Sequence, residues 1–274
     1  RGGGELVSTA KLRLLKPALL FNARHHANEI SSTNAVLSMA WFLTHSEQGL
    51  ELLKHVNVAW IPMENPDGVA TFEELQSYCK DHKLHAARYN ALGSEYYNDY
   101  FLKVPRFPEA RAKPRLWKRW LPEIMVDHHG VPCHEWDQPF SGYTPFRFRE
   151  FWIPRTFVYA CIPFVEDMSH KRHQEAITLG KHLGQAIGSE DEIVKLNREL
   201  AARYQRYARN PEPKTFPAST GEPLLVLPPV SRTQKINFAV RYPEVTRSEI
   251  VIEVPDEFAS GRLLELCARA NQVI

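Results

Sequence analysis

The chain has 274 residues, 43% of them hydrophobic and 24% charged, enough for one large domain with a substantial core. That balance excludes a disordered chain, a collagen-like chain and a coiled-coil rod. A net charge of +2 is too weak a field to hold nucleic acid non-specifically.

The apolar run from Phe157 to Val165 is half the ~20 residues a membrane-spanning helix needs, so no transmembrane segment is predicted. Cys79, Cys133, Cys161 and Cys267 stand singly, without a Cys-x-x-Cys pair, and spacing leaves free thiols and disulfides equally open. The chain opens Arg-Gly-Gly-Gly-Glu with no initiator Met, which reads as a piece with an upstream segment removed. Compartment and oligomeric state stay open.

Apolar runs alternate with helical stretches, which predicts an α/β fold. Pro17 to Asn22 reads as a short buried strand, and Glu29 to Leu43 follows with Val36, Met39, Ala40 and Leu43 at helical spacing. Val56 to Met63 is a second strand, stopped by the turn chemistry of Asn65-Pro66-Asp67-Gly68. Ile124 to Val126 is a third, ending in Asp127-His128-His129-Gly130. Val131 to Glu166 turns aromatic and proline-rich, as long connecting loops do.

Gln174 to Ile187 and Glu190 to Tyr207 look helical; in the second, Ile193, Leu196, Leu200 and Tyr204 share one stripe. Asn210 to Pro229 holds six prolines and reads as a loop. Lys235 to Val240 and Glu249 to Val254 alternate like strands, and Gly261 to Val273 closes as an amphipathic helix. The expected architecture is one α/β domain over residues 1–274, a mixed twisted sheet with helices on both faces. Ligands of such sheets bind outside the carboxyl ends of the strands.

Three polar loops end apolar runs there. His26 and Glu29 stand three apart where a strand gives way to a helix, so both can face one point. An imidazole and a carboxylate are natural zinc ligands, and His129 in Asp-x-His-Gly offers a third, with Asp127 available to orient a neighbour. Alone, His-x-x-Glu is a common surface pairing, because a carboxylate suits a helix start anyway. The ordered set carries more weight: His26-x-x-Glu29, then Asn65-Pro66-Asp67-Gly68, then Asp127-x-His129-Gly130, then the apolar strand Ile250-Val251-Ile252-Glu253-Val254.

In that order the sequence resembles the carboxypeptidase A-type zinc metallopeptidases, through Pro17 to Gly68, Phe107 to Gly130 and Ile250 to Ile274, about half the chain. The resemblance implies one zinc per chain, held by His26, Glu29 and His129, and a general base at Glu253. It implies a hydrolase of peptide or peptide-like amide bonds, acting on a peptide or an acyl-amino acid. His25 and His128 are the competing donors; the spacing to Glu29 favours His26, and the family's Asp-x-His-Gly favours His129. His134 lies close enough in sequence to face a substrate, whereas a thiol ligand from Cys133 lacks a second Cys nearby.

The match thins at the substrate's carboxylate. Relatives supply an Asn-Arg pair where this chain reads Arg88-Tyr89-Asn90-Ala91-Leu92-Gly93. Arg88 is the candidate for carboxylate or oxyanion binding, Asn90 its assistant, and Tyr242 a guess for the family's mobile phenol. The missing pair leaves room for an amidase or deacylase of cell-wall peptides or N-acyl amino acids, and, in another class, for a catalytically silent peptide-binding domain. Lys113 to Trp120 mixes cations with tryptophans, and reads as a solvated basic face with Trp packed inward rather than a nucleic-acid surface.

Overall fold

The computed structural model describes residues 9–78, 88–130, 156–163, 169–207, 215–216, 224–227, 237–256 and 259–274. Helix α1 (Thr9–Leu15) leads into β1 (Ala18–Ala23), α2 (Ser31–His45), α3 (Glu47–His55), β2 (Asn57–Ile61) and α4 (Pro66–Tyr78). Then come α5 (Ala112–Trp120), β3 (Ile124–Gly130), β4 (Tyr159–Pro163), α6 (Lys171–Gly188) and α7 (Asp191–Tyr207). The chain continues with β5 (Thr215–Phe216), β6 (Leu224–Leu227), the single turn α8 (Phe238–Arg241), β7 (Ser248–Val254) and α9 (Gly261–Val273).

The strands form one sheet in the order β2-β1-β3-β7-β4-β6-β5. The first four run parallel; β4 lies antiparallel to β7 and parallel to β6, which pairs antiparallel with β5. The fold is thus the mixed α/β sheet that the alternation of elements predicts.

Side chains alternate across a strand, so the register sorts them into two faces. Val126, Ile250, Ile252 and Val254 pack with Ala176, Leu183 and Ile187 of α6 and with Cys267 and Ala270 of α9. On the other face Leu20, Ala59, Ile61 and Met125 pack with Tyr96, Tyr100, Trp117 and Phe238. Continuing towards the strand ends, the second face carries Asn22 beside Asp127, Asp127 beside Val251, and His129 beside Glu253. The candidate residues therefore stand at the carboxyl ends of three adjacent central strands.

Three departures from the sequence reading have physical causes. The Asn-Pro-Asp-Gly turn starts a helix: Asn65 Oδ1 accepts from Gly68 N at 3.0 Å, and Pro66 takes the first helical position, where a missing N–H costs nothing. Strand β3 runs on through Asp127 to Gly130, because β1 and β7 continue to pair with it there. The strand expected over 235–240 is a helical turn at 238–241, since the Asn237 side chain caps Val240 N at 3.1 Å. Strand β4 lies inside the stretch read as loop. Cys79, Cys133 and His134 fall outside the described residues, and no described helix is long and apolar enough to cross a membrane.

Candidate active site

Strand β1 ends at Ala23, and Arg24, with a φ of 59°, turns the backbone out of the sheet. A non-glycine residue holds this conformation only when its surroundings fix it. Arg24 Nε donates to Ala27 O at 2.6 Å, and its backbone N–H to Ser32 Oγ at 3.2 Å. The loop beyond is stapled from outside. Asn65 Nδ2 donates to His25 O and Tyr89 O, Tyr96 Oη donates to His25 O, and Ala27 N donates to Arg88 O. A Cβ at Gly68 would stand 2.5 Å from both the Asn65 side chain and Tyr89 O, so the motif's glycine permits this crossing of loops.

His26, Glu29 and His129 converge, with their donor atoms all within 4.8 Å of one another. His26 Nδ1 lies 2.7 Å from Glu29 Oε1 and 3.1 Å from His129 Nδ1. Two ring nitrogens facing at that distance cannot both carry a proton. Glu29 is fully buried, and its Oε2 stands 3.2 Å from His129 Nδ1 without the alignment of a hydrogen bond, so that oxygen is unsatisfied. Two imidazole nitrogens and a carboxylate converging around a buried unsatisfied oxygen fit a zinc ion with three protein ligands.

The outward nitrogens of both rings face carboxylates. His26 Nε2 lies 3.0 Å from Glu95 Oε2, and His129 Nε2 lies 3.4 Å from Asp127 Oδ2. Such partners fix the tautomer and orientation of a ligating histidine. Asp127 accepts from Asn22 Nδ2 at 2.7 Å and from Lys113 Nζ. Burial opposes the charge on Lys113, yet Asp127, Glu64 and Glu249 together hold its ammonium above the ordinary lysine range.

His25 sits in a separate cage. Its Nε2 meets Glu95 Oε1 at 2.8 Å, and its Nδ1 meets Glu64 Oε2 at 3.2 Å and Tyr100 Oη at 3.0 Å. Burial alone would lower it, but the two carboxylates raise it to about 9. With His26 and Glu95 it forms a second grouping of metal-capable atoms. His128 points to the opposite face, fully buried against Phe21 with Nδ1 on Asn271 Oδ1, and burial pushes it down to about 4.

Glu253 pairs in register with His129 and faces the same side. Burial raises its carboxyl to about 7, against the attraction of His129. Arg88 Nη1 donates to Glu29 Oε1 at 2.7 Å, which sets its guanidinium beside the ligand cluster. Asn90 is turned inward, its Oδ1 accepting from Leu92 N and Ser94 N, so it shapes the loop that carries Arg88.

Tyr242 is not brought to the cluster: its ring stacks on Trp117 at 4.5 Å, just before the amino end of β7, with Glu253 near the strand's other end. The two aromatic faces shelter each other there, and Tyr242 drops out of the substrate-binding set.

Sequence reasoning missed Glu64, Glu95 and Lys113. The two glutamates lie in stretches with no periodicity, and only the folded chain brings them to the histidines. Lys113 had a signal: it stands four residues before Trp117, so an inward Trp117 carries Lys113 inward too.

A model of the zinc carboxypeptidase family matches residues 7–119. Among solved structures, a metallo-carboxypeptidase from Burkholderia cenocepacia superposes with a TM-score of 0.54 at 12% identity, over 94% of this chain and 55% of that one. A Pseudomonas aeruginosa metallo-carboxypeptidase, solved with (2-guanidinoethylmercapto)succinic acid, gives 0.52 at 15% identity, over the same 94% and 55%. A candidate metallopeptidase from Shewanella amazonensis gives 0.52 at 18% identity, over 94% and 74%. The chain thus spans about half the length of the two carboxypeptidases. No curated protein matches the sequence. Residues 7–119 thus match the zinc carboxypeptidase family, and over nearly all of the chain the fold is similar to that of metallo-carboxypeptidases.

Proposed function

We propose that this chain removes residues from the carboxyl end of peptides, with one zinc held by His26, Glu29 and His129 and with Glu253 as general base. The observation that carries the reading is the convergence of those three side chains beside Glu253. A catalytic zinc on three protein ligands polarises a carbonyl and lowers the pKa of water at its open position.

Glu253 accepts the proton of the attacking water at its carboxylate and returns it to the leaving nitrogen. Its elevation to about 7 suits both transfers near neutral pH. Arg88 stands where a guanidinium can pair with the substrate's carboxylate or with the charge developing on the carbonyl oxygen. The carboxylate-bearing ligand of the Pseudomonas relative supports a substrate of that kind.

A second reading is an amidase or deacylase on the same scaffold. It is favoured by the engagement of Arg88 with Glu29, in a chain without the Asn-Arg pair of its relatives.

Metal analysis of the purified protein tests the centre: about one zinc per chain is expected, lost in His26→Ala and in His129→Ala. Full occupancy in His129→Ala would remove the assignment. Mass spectrometry of peptide digests then separates the two activities. Stepwise loss of carboxyl-terminal residues supports the carboxypeptidase, and deacylation without such loss supports the second reading.

A further inference from the structure

Lys113 is 2% exposed, an ammonium set inside the protein beneath the carboxyl ends of the strands. Its Nζ donates to Asp127 Oδ2, the oxygen that lies 3.4 Å from His129 Nε2, and stands 5.3 Å from the centre of the Tyr100 ring. The other oxygen of Asp127 accepts from Asn22 Nδ2. Asp127 is therefore held on one side by a cation and on another by an amide, and it presents an edge to the ring of His129.

A carboxylate buried without its cation is costly. Without that cation it would swing to another partner, and the change would release the imidazole it faces. A ligating histidine depends on its outer carboxylate for tautomer, orientation and basicity. We propose that Lys113 is a positioning residue of the metal centre, fixing Asp127 as the anionic partner of His129. This rests on the reading of His26, Glu29 and His129 as zinc ligands. Helix α5 thereby couples to the metal centre through a side chain that never meets substrate.

The test measures zinc dissociation by competition with a chelator, and the visible absorption of cobalt(II)-substituted protein, in native protein, Lys113→Met, Asp127→Asn and the double variant. Lys113→Met is expected to bind zinc about 10–100-fold more weakly, the usual cost of losing an outer partner. Its cobalt spectrum should shift as that of Asp127→Asn does. The double variant should bind no more weakly than Asp127→Asn, because Lys113 acts through Asp127.

Native zinc affinity and an unchanged cobalt spectrum in Lys113→Met overturn the inference alone, as do losses that add in full in the double variant. If the native protein takes up no zinc, the metal centre itself falls, and the inference with it. Should Lys113→Met not fold, Lys113→Gln, which can still donate to Asp127, takes its place. A smaller loss with the same spectral shift supports the proposal, and native affinity overturns it.

Discussion

Strands β1, β3 and β7 present hydrocarbon to helices α6 and α9, and mixed chemistry to the side where α5 lies. Val126, Ile250 and Ile252 lie on the first face with no charge among them, and the His128 at its edge is held neutral by burial. Asn22, Asp127, His129, Glu249 and Glu253 lie on the second, above a smaller aromatic cluster. The same backbone serves both, because successive side chains point to opposite sides. A slip of one residue in β7 would exchange Glu253 for Ile252 and dismantle both faces at once. The apolar face sets the register, and the register sets the chemistry.

The sharpest way to break this division is Glu253→Gln, which keeps shape and removes the base. The expected outcome is a fall in kcat of about 10²–10⁴-fold, with zinc content and thermal stability unchanged. Loss of zinc in this variant would make Glu253 a ligand instead.

Ile252→Ala, one position away on the other face, should do the reverse. Ile252 is fully buried, so its truncation should cost about 2–5 kcal/mol of stability in denaturant titration, with the remaining folded protein still binding zinc. A variant that keeps its stability but loses metal would show that the faces are not separable.

Arg88→Ala should lower kcat/KM on free-carboxylate peptides by about 1.5–3 kcal/mol, the worth of a charged hydrogen bond. Amidated peptides should be poor substrates for the native enzyme and little affected by the change. Equal turnover of free and amidated peptides removes the carboxypeptidase reading.

Glu249 is the mildest probe. Burial raises its carboxyl to about 7, so the stability that its neutral form contributes is present below about pH 4.5 and lost as pH rises through 7. Glu249→Gln should therefore stabilise the protein by about 1–3 kcal/mol at pH 8 and by little at pH 5. Thermal melts at the two pH values check this, and an equal effect at both would mean that Glu249 does not titrate in that range.

How much of this was legible in the sequence follows from where each residue gets its address. His26, Glu29 and His129 stand at or beside the ends of apolar runs, which hydrophobic pattern locates, whereas Glu253 and the choice of His129 over His128 come from the family resemblance. The turn motif around Asn65 was legible as punctuation but not as a helix cap, because the same residues serve both. Glu64 and Glu95 owe their place to tertiary contacts with His25 and His26, which no local pattern encodes. Lys113 was hidden by its company: Arg115, Lys118 and Arg119 make the helix look like a wet basic face, while the one lysine in line with Trp117 goes inside. Tyr242 shows the opposite error, a residue type chosen for its chemistry in a segment whose packing had already spent it on Trp117.

The position of β7 has a consequence for how the protein comes into being. Among the described strands it is the last made, yet it sits between β3 and β4 in the middle of the sheet. During synthesis, β3 and β4 emerge long before the strand that separates them and must wait with unpaired edges. Glu253, the proposed general base, arrives on that same strand, and Asp256 just after it, to accept from Ser31 N and Oγ at the start of α2. A ribosome paused between residues 129 and 248 thus carries the three proposed zinc ligands without Glu253. On the proposed reading, the site is complete only once this last strand has closed the sheet.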